Sequence, residues 1–315
     1  MRPRDGAGRT GGLVHRLQPF VVGRDQMTVY ISSHAGMDTG GPEALVQLAL
    51  ALWSHHRDVK LFPTGIHARF AHLYPDILHI PHGRPHDWAN ETVILPEVEL
   101  QKCGHYRRAT AYCFYLSTNI GSTPSRCKPI AHNRVISRML GGACIVRPYI
   151  TPHIVSYCRQ ARRNATDRSL VLVDNDSPPH VCSKGLVVKG FSHGRLLDLY
   201  AHARAVIDWR FVGSERMPIE AVLCGARLYT SNTASPNCAT GEDFALPEES
   251  FIAHEDLVDD QYLRKSPSMA GMIDAFEHLN ASTMLRDALA CGLGRLGRVG
   301  RLERLGRLER LGRQW

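Results

Sequence analysis

Short segments that are apolar at almost every position alternate along this chain with segments whose apolar residues recur at helical spacing. Residues 28–32, 59–62, 92–95, 110–116 and 143–146 are of the first kind. Between them, residues 43–56 place Leu45, Leu48, Ala49 and Leu52 on one helix face, and residues 98–107 and 131–140 also read as helical. A glycine-bearing turn at 36–42 joins the first strand to the first helix. The second half repeats the alternation, with strands predicted at 169–173, 186–191, 205–209 and 227–230 and helices at 194–203 and 217–224. A strand with no polar face must be covered on both sides, so the pattern predicts an α/β protein with parallel sheets between helices. Two such sheets, hinged near 147–165, give four zones: a leader at 1–26, an amino-terminal domain at 27–147, a carboxyl-terminal domain at 148–291 and a tail at 292–315. A cleft between the carboxyl ends of the two sets of strands is the expected ligand position.

Both ends of the chain depart from this pattern. Residues 1–26 mix glycine with arginine and read as disordered. In the tail, apolar residues recur every three positions from Leu293 to Leu311. A three-residue step turns about 300° on an α-helix, so the stripe drifts and forms no single face. The tail is therefore expected to be an appendage.

Charge sharpens this division. The net charge of +8 lies wholly in the ends: five arginines against two aspartates in residues 1–25, and seven arginines against two glutamates in residues 292–315. The body is neutral, which argues against a nucleic-acid partner for it. Apolar content of 43% is that of an ordinary globular protein, and no apolar run has the roughly 20 residues of a membrane span, so the chain reads as soluble. Nine cysteines stand singly without Cys-x-x-Cys spacing, which predicts buried free thiols in a reducing compartment. The leader lacks a long apolar stretch, so the expected location is the cytoplasm; its arginines also suit an organelle transit segment. His82 and His86 have a ligand-like interval, but Gly83 and Pro85 break the helix that would align them, so these read as solvated loop histidines.

Candidate chemistry concentrates between Ala205 and Gly225. Pro218 suits the first turn of a helix and Gly225 the residue just past its end, so a short helix starts near the carboxyl end of a strand. Such a terminus favours anions, and Glu220 in its first turn is a candidate acceptor for vicinal hydroxyls. The alternative is that Glu220 only complements the helix dipole.

The run Val187-Val-Lys-Gly-Phe-Ser-His-Gly194 to Asp208, followed by Gly213-Ser-Glu-Arg-Met-Pro-Ile-Glu-Ala221 and Gly225, resembles the donor-domain signature of group 1 (glycogen-phosphorylase-like) glycosyltransferases. It is particularly similar to a poorly characterised branch carrying Gly-x-Glu-Arg-x-Pro-x-Glu-Ala and a later Asp-Phe-x-x-Pro, matched by Asp243 to Pro247. Gly40-Gly41-Pro42-Glu43 is similar to the glycine loop after the family's first strand. The resemblance implies two Rossmann-like domains in the GT-B arrangement, with transfer of a sugar from a nucleotide diphosphate to an acceptor hydroxyl. Retention of anomeric configuration and independence of metal or other cofactor are further implications. It gives Glu220 to the nucleotide ribose, Gly213, Ser214, Glu215 and Arg216 to the donor sugar and diphosphate, and Gly40 and Gly41 to the phosphates and acceptor. Glu215 and Asp38 are the candidate catalytic residues. The family's basic residue after the first strand of the donor domain is missing, since Val173 leads into Asp174-Asn175-Asp176. Lys184, Lys189 or Arg216 is then expected to neutralise the diphosphate. Two alternatives stand: an inactive relative retained as a binding or scaffold protein, and a metal-dependent transferase with Asp174 and Asp176 as ligands.

Overall fold

The computed structural model describes residues 27–33, 37, 39–55, 58–63, 65–117, 120, 126–165, 168–209, 216–231, 251–252 and 279–293. The leader, Asp38, residues 210–215, the Asp243 to Pro247 stretch and the tail beyond Leu293 lie outside them.

The apolar segments form two parallel sheets. The first joins β1 (Thr28–Ser32), β2 (Val59–Phe62), β3 (Glu91–Pro96), β4 (Thr110–Tyr115), β5 (Lys128–Ala131) and β6 (Cys144–Ile145) in the order β2-β1-β3-β4-β5-β6. The second joins β7 (Leu170–Asp174), β8 (Leu186–Val188), β9 (Ala203–Ile207) and β10 (Arg227–Ser231), with a two-residue edge strand β11 (Phe251–Ile252), in the order β11-β10-β9-β7-β8. Both faces of each sheet are dry. Val29, Ile31, Leu61, Ile94 and Phe114 pack on one side of the first sheet, while Tyr30, Val93, Leu95, Cys113 and Tyr115 pack on the other. Leu172, Val206 and Leu228 oppose Val173, Ile207 and Tyr229 in the same way in the second. This two-sided burial is what unbroken apolar strands require.

Strand order reverses between β1 and β3 in the first sheet and between β7 and β9 in the second. Helices leave in opposite directions at such a point, opening a crevice at the carboxyl ends of the flanking strands. The residues there are Ser32 and Ser33 with Glu97 in the first sheet, and Asp174 with Asp208 in the second.

Eight α-helices among the described residues connect or cover the strands. Those that matter here are α1 (Gly40–His55), α4 (Pro152–Asn164), α6 (His193–His202), α7 (Met217–Cys224) and α8 (Ala281–Ala290). α1 begins at Gly40 instead of Glu43, so the two glycines lie in the helix's first turn and not in the preceding loop. The stretch expected as a hinge holds α4, capped by the Thr151 hydroxyl, which accepts the Ile154 N–H at 3.4 Å, with Pro152 in its first turn. Residues 131–140, expected as one helix, supply the end of β5 and then α3 (Arg134–Met139), capped by Asn133.

α8 packs on α1, burying Met284, Leu285 and Ala288 in the first sheet's core. Gly292, at φ +78°, turns the chain so that the Leu293 N–H reaches the Ala288 carbonyl at 3.0 Å and the Leu293 side chain is fully buried. This is the glycine-terminated helix end in which a left-handed residue brings an apolar one back onto the last turn. The body therefore extends through Leu293, two residues past the expected boundary at 291/292. Arg147 holds Asp287 through two side-chain hydrogen bonds of 2.9 and 3.0 Å.

The cysteines also differ from expectation. Cys144 at β6 is bonded to Cys291 at the end of α8, and Cys103 to Cys127. Isolated positions in sequence hid both pairs, because 147 residues separate the first and 24 the second. Cys113, Cys158, Cys182 and Cys224 are free thiols. Among the described residues no helix is long and apolar enough to cross a membrane.

Candidate functional site

α7 is fixed at both ends. Pro218 sits in its first turn, and Gly225 closes it at φ +95°, where a side chain would collide with the Arg168 guanidinium. Arg168 Nη2 and Arg162 Nη1 donate to the last carbonyls, of Cys224 at 2.8 Å and of Leu223 at 3.0 Å. Two cations at the carboxyl end complement the helix dipole and hold α7 in place.

Its amino end carries the polar groups. Arg216, the residue preceding α7, donates from Nη1 to Glu43 Oε2 on α1, and its Nε lies 3.6 Å from Glu220 Oε1. His193, the first residue of α6, has Nε2 at 3.0 Å from both oxygens of Glu220. Glu43 Oε1 accepts the Tyr74 hydroxyl at 2.6 Å, and Tyr74 in turn accepts from Gln47 Nε2 at 2.7 Å. Gln47 closes the chain on the backbone of Tyr149, accepting its N–H at 3.0 Å and donating to its carbonyl at 2.5 Å. Glu43 and Glu220 are buried to 2% and 1% exposure, so each needs these partners. The network runs unbroken from a backbone amide after the first sheet to a histidine on the second, beside a small pocket lined by Gly40, Glu43, Gln47, Tyr149, Arg216 and Ile219.

Electrostatics follow from this packing. Burial pushes the Glu43 carboxyl above its usual range, and Arg216 and the Tyr74 hydroxyl only partly offset it. For His193, burial opposes the charged ring, but the Glu220 hydrogen bond and the charges of Glu220 and Glu43 together raise its pKa. A raised histidine contributes stability in full below its unfolded value, about 6.5, and loses it as pH rises through the folded value. The raised Glu43 has the same sign, since the fold favours its acid form. Urea-unfolding stability is thus expected to decline as pH rises above about 6.5, and His193→Gln should flatten that decline measurably. Identical pH slopes for the two proteins would show that His193 is not protonated in the fold.

The structure brings some expected site residues together and leaves others apart. Gly40, Arg216 and Glu220 converge, with Gly41 in the same turn as Gly40. Lys189 and Lys184 are exposed near the edge strand β8 and do not line the pocket. Asp38, Gly213, Ser214 and Glu215 lie outside the described residues. Asp174 and Asp176 are joined by Asp208, their ligand atoms all within 4.8 Å of one another, with Asp208 fully buried.

No model of a known protein family matches this chain, and no curated protein matches it either. The glycosyltransferase likeness therefore rests on the chain's own residues.

Several members of the network had no assigned role in the sequence. Glu43 and His193 stood out only within the stretches Gly40-Gly41-Pro42-Glu43 and Val187 to Gly194, and Tyr74 and Gln47 not at all. A serine before His193 signals a helix start, which Ser192 indeed caps by accepting the Arg195 N–H at 3.4 Å. Nothing local signals its pairing with a glutamate 27 residues on.

Proposed function

We propose that the chain is a GT-B-type glycosyltransferase that binds a nucleotide-diphosphate sugar between its two sheets and transfers the sugar to an acceptor hydroxyl. One observation carries this reading. The Gly40 turn and the Arg216–Glu220 turn, far apart in sequence, meet at one pocket, with a residue pair 173 positions apart in direct contact. That juxtaposition is what transfer from a donor on one sheet to an acceptor on the other demands.

In this reading the amino end of α7 and the guanidinium of Arg216 stabilise the charge that develops on the leaving diphosphate, which is the principal electrostatic task in glycosyl transfer. His193 supplies a second positive charge next to them. Glu220 orients both cations and offers the ribose the lone pairs that they leave, since a carboxylate can accept about four hydrogen bonds. Exclusion of water from the pocket favours an acceptor hydroxyl over hydrolysis.

Nucleoside diphosphates at 100 times their dissociation constant are expected to raise stability by about 2.7 kcal/mol, with the corresponding nucleosides giving less. A thermal-shift series over the common bases checks this, followed by sugar-transfer assays with the donor so identified. No stabilisation by any nucleoside diphosphate would overturn the reading.

A second reading is favoured by the Asp174, Asp176 and Asp208 group, in which three carboxylates would hold a divalent cation that bridges the diphosphate. The two separate under chelation. Binding and transfer that persist in EDTA support Arg216 and the helix terminus; loss restored by Mg²⁺ or Mn²⁺ supports the carboxylates.

A further inference from the structure

Every described cation at the mouth of this site already faces a carboxylate. Arg216 Nη1 is held by Glu43, its Nε approaches Glu220, and His193 Nε2 spans both Glu220 oxygens. Two positive and two negative side chains thus sit in one buried network, and a diphosphate cannot enter it without displacing a carboxylate. The two glutamates are not equivalent. Glu220 lies on the same short helix that Arg216 opens, four residues on, and is also gripped by His193. Glu43 reaches Arg216 from a helix of the other sheet, and its remaining partner is the Tyr74 hydroxyl.

We infer that Glu43 is an internal anion that occupies Arg216 in place of a ligand phosphate, so that the Glu43–Arg216 contact and phosphate binding exclude each other. The inference deepens the proposed donor site by naming the residue that holds it closed. A phosphate oxygen takes over Nη1, and Glu43 turns back to Tyr74. The displaced Glu43 keeps the hydrogen bond that its Oε1 accepts from the Tyr74 hydroxyl, so release does not leave the carboxyl without a partner. Phosphate binding and opening of the link between α1 and α7 are therefore a single event, which couples entry of the ligand to the relative position of the two sheets. The network on the Tyr149 side, through Gln47 and Tyr74, then serves as the resting place of the displaced carboxyl.

Pyrophosphate is the probe, because it carries the shared chemistry without base or sugar. In calorimetric titration of the full chain, Glu43→Gln is expected to bind pyrophosphate at least tenfold more tightly than the wild type, the loss of one competing charge-assisted hydrogen bond. Tyr74→Phe, which removes the partner of the displaced carboxyl and leaves Glu43 only Arg216, should weaken binding several-fold and provides the test if Glu43→Gln does not fold. Unchanged or weaker affinity in Glu43→Gln, unchanged or tighter affinity in Tyr74→Phe, or no pyrophosphate binding by wild type and Glu43→Gln alike, overturns the inference. A parallel titration with nucleoside diphosphates keeps the two claims separate. Tighter pyrophosphate binding without any preference for nucleotides would support the displaced carboxylate and count against the nucleotide-sugar site.

Discussion

Replacing Arg216 with methionine is expected to lower the free energy of unfolding by about 3–5 kcal/mol, the loss seen when one partner of a buried ion pair is removed. The reason lies in what remains. Glu43 and Glu220 would face each other at 2% and 1% exposure with, among the described residues, only His193 as a neighbouring cation, hydrogen-bonded to Glu220. Removing Glu43 as well should return part of the loss, since the double variant Arg216→Met with Glu43→Gln no longer confronts two carboxylates. The double-mutant cycle is read from urea midpoints and slopes, and a coupling of well over 0.5 kcal/mol is expected for groups in one network. A single-variant loss below about 1 kcal/mol would mean that the pair behaves as an exposed surface contact.

The second large effect concerns α8. A chain ending at Asn280 would remove Met284, Leu285 and Leu293, each fully or almost fully buried against α1. At about 1.5–3 kcal/mol for each such side chain, the deletion removes roughly 5–9 kcal/mol, comparable to the whole stability of an ordinary domain. The truncated protein is expected to lose cooperative unfolding, seen as a broadened or absent thermal transition. Leu285→Ala alone should cost about 2–5 kcal/mol and keep the transition cooperative. By contrast, a chain ending at Leu293 should melt like the full protein, whereas one ending at Cys291 should melt lower because it lacks the Leu293 side chain. Equal melting of those two truncations would contradict the burial of Leu293.

What the sequence determined by itself was the material that acts over a few residues. Unbroken apolar segments such as Val29 to Ile31 and Val93 to Leu95 cannot tolerate a wet face, so parallel sheets between helices follow from them. The limits of α7 were also written locally, because Pro218 cannot continue a helix backwards and Gly225 alone accepts φ +95° without strain. α4 carries a local signal in Thr151-Pro152 and in the spacing of Ile154 and Cys158, yet residues 147–165 read from the sequence only as a hinge. β5 was not, since Lys128 and Pro129 are poor strand formers and only pairing with β4 makes them a strand. The remainder was decided by tertiary structure. Local preference extends over one or two turns, whereas Glu43 meets Arg216 across 173 residues and Cys144 meets Cys291 across 147. Leu293 shares its three-residue repeat with the tail, yet only the position of α8 over α1 makes it core. Asp208 joined Asp174 and Asp176 for the same reason: strand order places β9 beside β7, and no spacing along the chain records which strands become neighbours.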